Sequence, residues 1–173
     1  MADIVDSATR SRMMAGIRAK NTKPEVIVRS LLHRAGFRFR LHAKHLPGKP
    51  DIVFRRYKAV VLVHGCFWHG HDCPLFKWPA TRPDFWKNKI GRNQLNDRRS
   101  FELLIKEGWR IAVVWECALR GRERNLEEVT RQLAAWLRDR DTKVIELASP
   151  TALPRFGTVV ADSCPTAPLG GQE

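Results

Sequence analysis

Cys66, His71 and Cys73 fall within eight residues, in the spacing Cys-x4-His-x-Cys. Thiolates and imidazoles are ligands for a borderline-soft cation, and zinc takes four of them in a tetrahedron. Cys117 is the candidate fourth ligand. It follows the apolar run that ends at Trp115, as Cys66 follows the run that ends at Val63. If those runs are parallel neighbouring strands, both thiols leave the sheet at the same edge. A closed Cys3His site has no open position for substrate, so its role is structural. His64, His69 and Asp72 are rival ligands by spacing, Cys66 and Cys117 could instead be buried thiols, and Cys164 reads as a free thiol. The N-terminal Met1-Ala2-Asp3-Ile4 lacks the layout of a signal peptide, and no apolar run approaches the ~20 residues of a membrane span. The chain is therefore expected in the cytoplasm, away from membranes, where cysteines favour metals over disulfides.

A second chemistry centres on Asp51, which follows Pro50 and opens the strand Asp51-Ile52-Val53-Phe54. A carboxylate at a strand end suits a hard cation such as magnesium, the usual assistant of phosphodiester hydrolysis. An acid followed by a strand resembles the outline of the PD-(D/E)xK nucleases, but the acid-x-Lys expected on the next strand is missing. That strand reads Val61-Leu62-Val63 and then His64, so only backbone carbonyls could act as ligands there. His64 and His69 would have to replace the lysine as proton handlers, which imidazoles can do near neutral pH. Glu25 is a further candidate acid, although it also fits a helix capping box. Asp51 also fits an ordinary turn after proline.

The elements that must position these groups are legible from periodicity. A basic helix is expected over Ser7–Lys20. A second helix begins at Thr22-Lys23-Pro24-Glu25, carries Val28, Leu31, Leu32 and Ala35 on its apolar face, and ends at Gly36. Phe37–Leu41 alternates as a half-buried strand, and Ala59–Val63 and Trp109–Trp115 read as buried ones. The stretch His64–Pro83 is too long for a plain connection and is expected to be functional. A long helix covers about Asp84–Glu107, and a last helix opens at Asn125 with a second capping box. Trp109, Trp115 and Trp136 are expected in the core. The order predicts an α/β fold, a mixed central sheet flanked by helices on both faces. One domain is expected over residues 1–140, with a loosely ordered tail over 141–173. The chain carries a net charge of +13; the tail holds four carboxylates against two cations, so the body carries +15. Such a body attracts a polyanion, nucleic acid above all.

Several strings resemble the very short patch repair (Vsr) endonucleases. They are Ala8-Thr9-Arg10-Ser11, Leu46-Pro47-Gly48-Lys49-Pro50-Asp51, His64-Gly65-Cys66-Phe67-Trp68-His69, Pro79-Ala80-Thr81-Arg82 and Trp115-Glu116-Cys117-Ala118-Leu119-Arg120-Gly121. The resemblance spans about Asp6–Arg138. It implies a restriction-endonuclease-like core, zinc on Cys66, His71, Cys73 and Cys117, and magnesium on Asp51 and the backbone carbonyl of Val63. It implies His69 as general base, supported by His64 and Glu25, with Asp97 orienting the active histidine. The implied substrate is double-stranded DNA with a T·G mismatch, the product of 5-methylcytosine deamination, nicked 5′ of the thymine. Phe67, Trp68 and Trp86 are candidate wedges into the base stack, and Met14, Lys89, Asn93 and Arg120 are candidate DNA contacts. The chain is expected to act as a monomer on the bacterial nucleoid, with a mismatch-repair protein of the MutL type as candidate partner. Two alternatives stay open on the residues: an inactive zinc-stabilised DNA-binding module, and a sequence-specific nuclease.

Overall fold

The computed structural model describes Thr9, residues 20–121 and 124–156, and the backbone of 159–160. The basic helix expected over Ser7–Lys20 lies almost wholly outside the described residues, as do Met14 and Cys164. Helix α1 (Lys23–Arg34) starts as its sequence dictates. The Thr22 side chain accepts the Glu25 N–H, the Glu25 side chain accepts the Thr22 N–H, and proline occupies the first turn. Val28, Leu31 and Leu32 form its buried face. Just beyond its C-terminal end Gly36 takes φ +87°, a left-handed conformation that glycine adopts without a Cβ penalty.

The sheet runs in the order β1 (Arg40–Leu41), β2 (Ile52–Phe54), β3 (Ala59–His64), β4 (Arg110–Trp115), β5 (Thr142–Leu147) and β6 (Val159–Val160). Strands β3, β4 and β5 are parallel, and the outer pairings are antiparallel. Helix α3 (Pro83–Lys106) joins β3 to β4, and α5 (Leu126–Arg138) joins β4 to β5. Two one-turn helices, α2 (Cys66–His69) and α4 (Glu116–Leu119), follow directly on β3 and β4.

Alternate residues of β3 and β4 serve two cores. Val61, Ala112 and Val114 pack with α1 and α5 on one face. Val60, Leu62, Ile111, Val113 and Trp115 pack with Phe101 and Leu104 of α3 on the other. Burial on both faces explains why these strands are continuously apolar rather than alternating. Trp109, Trp115 and Trp136 are all buried, as expected.

Three expectations are corrected. The strand foreseen at Phe37–Leu41 pairs only through Arg40 and Leu41. Phe37 and Phe39 both turn their rings edge-on to Phe54, at 6.1 and 5.6 Å between centroids, so the alternation does mark one inward side, although residues 37–39 pair with no strand. The second capping box is only half made. Asn125 accepts the Glu128 N–H, while the Glu128 carboxylate turns to Arg131 and Gln132. The folded body also runs past residue 140. Thr142–Leu147 is strand β5, parallel to β4, with Val144 and Leu147 buried. A six-residue strand whose apolar side chains Val144, Ile145 and Leu147 are interrupted by Glu146 has little local signal; its partner β4 supplies the rest.

Candidate active site and metal cluster

In the parallel register His64 stands opposite Trp115. The chain then turns into α2 and α4 at the same sheet edge, which brings Cys66 and Cys117 together. The ligand atoms of Cys66, His71, Cys73 and Cys117 all lie within 4.8 Å of one another. Cys117 Sγ is 3.6 Å from His71 Nδ1 and accepts the Ser149 N–H at 3.3 Å. The His71 ring is buried and stacked on Trp115 at 4.0 Å and 3°. Hydrogen bonding from Cys66 holds the Cys117 thiol below its ordinary value, and the same contact pushes Cys66 up. Thiols gathered this closely with an imidazole are the donor set that a borderline-soft cation takes as thiolates. Of the rival ligands, His64 and His69 belong to a different group of side chains, and Asp72 is exposed.

A cleft of about 980 Å³ opens beside this cluster. Asp51 lines it at the start of β2, with Oδ2 accepting the Val63 N–H at 2.8 Å. Burial pushes the Asp51 carboxyl up to about 6, against the pull of that hydrogen bond. Glu25, buried at the start of α1, reaches the same corner. It keeps its capping bonds and pairs with Arg29 at 2.5 Å. The capping and site readings of Glu25 are therefore compatible. His42 completes the corner: a ring nitrogen of His42 and carboxylate oxygens of Glu25 and Asp51 lie within 4.8 Å of one another. Sequence reasoning missed His42. It takes φ +49° just past β1, and no local pattern marks it.

On the opposite wall His69 Nδ1 is 2.7 Å from Asp97 Oδ2. Asp97 sits on α3, and when ionised it can only accept, so Nδ1 carries the proton and Nε2 is the basic nitrogen. His64 stacks on His69 at 3.9 Å between centroids and 3° between planes. Its Nδ1 is buried without a hydrogen-bond partner, and burial holds the His64 imidazole well below its ordinary value. His64 thus lies as a neutral ring against the parallel His69 imidazole. The cleft rim carries Lys20, Lys44, Lys49 and Lys89, a charge arrangement suited to phosphates.

The candidate wedges are packed on each other. Phe67 lies 5.2 Å from Trp68 and 5.1 Å from Trp86 between ring centroids, all three half-buried. Trp68 lines the cleft, and Lys89 Nζ stands 5.6 Å over its ring. Asn93, expected to face DNA, donates its amide to the Trp68 carbonyl at 2.7 Å. Arg120 is exposed and paired with Glu116 at 2.6 Å.

A mixed α/β fold with a paired acid and imidazole in a basic cleft, beside a Cys/His cluster that could hold a metal ion, fits the class of nucleases. The comparisons are narrower. The family model for the DNA mismatch endonuclease Vsr matches residues 2–75. The chain is 49% identical to the DNA mismatch endonuclease Vsr of Escherichia coli over 138 residues, 79% of this chain and 88% of that protein. It is 52% identical to the type II nicking enzyme V.XorIIP of Xanthomonas oryzae, over 69% of this chain and 88% of the relative. A third relative, the type II nicking enzyme V.NmeAIP of Neisseria meningitidis, is 44% identical over 76% of this chain and 94% of its own length. The chain belongs to the Vsr family of DNA mismatch endonucleases.

Proposed function

We propose that this chain is a DNA mismatch endonuclease that nicks 5′ of the thymine in a T·G pair, with magnesium as catalytic ion and zinc as structural ion on a restriction-endonuclease-like core. The observation that carries this reading is the convergence of Asp51 with the His69–Asp97 pair on one lysine-rimmed cleft.

The donor sets fit both ions. Zinc bound at 2.0–2.3 Å in a tetrahedron separates its ligand atoms by about 3.3–3.8 Å, and the His71–Cys117 distance of 3.6 Å falls in that range. Cys66, His71, Cys73 and Cys117 would hold zinc and tie α2 to the sheet. The Asp51 carboxylate is desolvated and bonded on one oxygen to a peptide N–H, which suits a hard cation. Asp51 would hold magnesium, with the Val63 carbonyl beside it; His42 nitrogen is a poorer magnesium donor than oxygen. When bound, magnesium supplies charge stabilisation at the phosphoryl oxygens and a more acidic water.

The chain's own residues do the rest. His69 Nε2 takes a proton from the attacking water, while Asp97 orients the ring and stabilises the charge that arrives on it. His64, neutral and parallel, keeps the His69 ring in plane. Trp68, with Phe67 and Trp86 behind it, abuts the opened wobble pair, which unstacks at lower cost than a Watson–Crick step.

Strand-resolved cleavage tests the reading. A T·G duplex should be nicked only on the thymine strand and only with magnesium, and the matched T·A duplex should be spared. Equal cutting of both duplexes would favour a sequence-specific nuclease, and no cutting of either would favour a binding module.

A further inference from the structure

The segment after β5 returns to the catalytic cleft. Glu146 of β5 accepts the backbone N–H groups of Arg155 and Phe156 through Oε2, at 2.8 and 2.7 Å. Its Oε1 accepts the Trp115 indole N–H at 2.5 Å. Phe156 packs against Phe101 at 4.4 Å between centroids. These contacts fix the backbone of Arg155, and its side chain is only 15% exposed. NH1 donates to the His69 carbonyl at 2.5 Å. NH2 stands 3.8 Å from Asp97 Oδ2, the same oxygen that faces His69 Nδ1.

We propose that Arg155 is a positioning residue for His69: one guanidinium holds the His69 backbone and the Asp97 carboxylate together, so that the imidazole presents Nε2 to the reacting water. This rests on the reading of His69 as the base.

The energetics point the same way. At 3.8 Å the Arg155–Asp97 contact is an ion pair and not a hydrogen bond, and NH2 is buried without a hydrogen-bond partner. A buried guanidinium with an unmade bond costs stability, which an apolar side chain of similar volume would avoid. What the arrangement supplies is geometry. A rigid planar fork sets two separated acceptors at fixed positions, whereas an ammonium is a compact point charge on a flexible stem. Gln94 supports the same His69 carbonyl at 3.1 Å, but has no charge to set against Asp97.

The test compares single-turnover nicking, duplex affinity and melting temperature in the full chain with zinc and magnesium. The variants are Arg155→Ala, Arg155→Lys, Asp97→Asn, the Arg155→Ala/Asp97→Asn double variant, and His69→Ala. Arg155→Ala should slow nicking by roughly a hundredfold, as small misplacements of reacting groups do, with T·G duplex affinity held within about twofold. The double variant should be no slower than the worse single one, because the two groups act as one unit. Millimolar guanidinium should restore part of the Arg155→Ala rate. Multiplicative losses in the double variant overturn the proposal. So does weakened binding with a lower salt slope and an unchanged rate on bound DNA, which would make Arg155 a phosphate contact. If Arg155→Ala does not fold, Arg155→Lys decides: a wild-type rate overturns the proposal, and a slowed rate at unchanged melting temperature supports it. His69→Ala separates the two readings. A dead His69→Ala beside a fully active Arg155→Ala sinks the positioning role alone, while an active His69→Ala sinks the proposed base.

Discussion

The Asp51 carboxylate and the Val63 N–H are joined by a 2.8 Å hydrogen bond that ties the start of β2 to the end of β3. The acid and the strand end bearing His64 are thereby held as one unit, on strands whose core residues are fully buried. A carboxylate fixed to rigid elements loses little geometry when its charge is removed.

Asp51→Asn is therefore expected to fold and to bind DNA almost normally, since phosphate affinity comes from the basic body. Nicking should fall by at least about a hundredfold, the scale for deleting one electrostatic stabilising group. Strand-resolved cleavage beside a filter-binding titration checks this; near-normal nicking by the variant would remove Asp51 from the site.

The same residue sets a pH dependence. Burial raises the Asp51 carboxyl from 3.8 to about 6. A raised value means that the protonated acid favours the folded chain. That contribution is complete below the ordinary value and is lost as pH rises through about 6. In magnesium-free buffer Asp51→Asn should thus be more stable than the parent above pH 6, on the order of 2 kcal/mol. The gap should close towards pH 4, and magnesium should stabilise the parent but not the variant at pH 8. Urea melts at the two pH values decide it; a gap that widens towards low pH would reverse the assignment.

Cys117→Ser should lower zinc content and stability together, because a structural ion's binding energy, roughly 10–16 kcal/mol apparent, is shared with folding. Retention of one full zinc equivalent by the purified variant would exclude Cys117 as a ligand.

Trp68→Ala should lose much of the preference for T·G over T·A duplexes and keep salt-dependent binding to any DNA. The half-buried ring should cost less stability than Trp115→Ala, for which about 3–5 kcal/mol is expected of a fully buried aromatic. Unchanged mismatch preference with a large fall in melting temperature would make Trp68 a packing residue.

What the residues determined by themselves is what acts over three or four positions or recurs with a short period. Thr22 and Glu25 cap α1 because the two side chains are one turn apart. The buried strands β3 and β4 are visible as apolar runs, and the long helix between them is placed within a residue or two of its expected ends. The meeting of Cys66 and Cys117 was reachable too, because parallel strands in register release their next residues at one edge. The resemblance added Asp97, 28 residues from His69, which spacing could not have paired with it. Tertiary structure decided what depends on distant partners. His42 joins Glu25 and Asp51 only through the turn beyond β1. Arg155 reaches His69 across 86 positions, from a stretch read as tail. Arg155 carries no local mark, because a charged side chain in a Pro- and Ala-rich stretch looks the same in sequence whether it meets solvent or a buried carboxylate. Only the closing of β5 onto β4, and the anchoring of Arg155 and Phe156 by Glu146, turn that arginine inward.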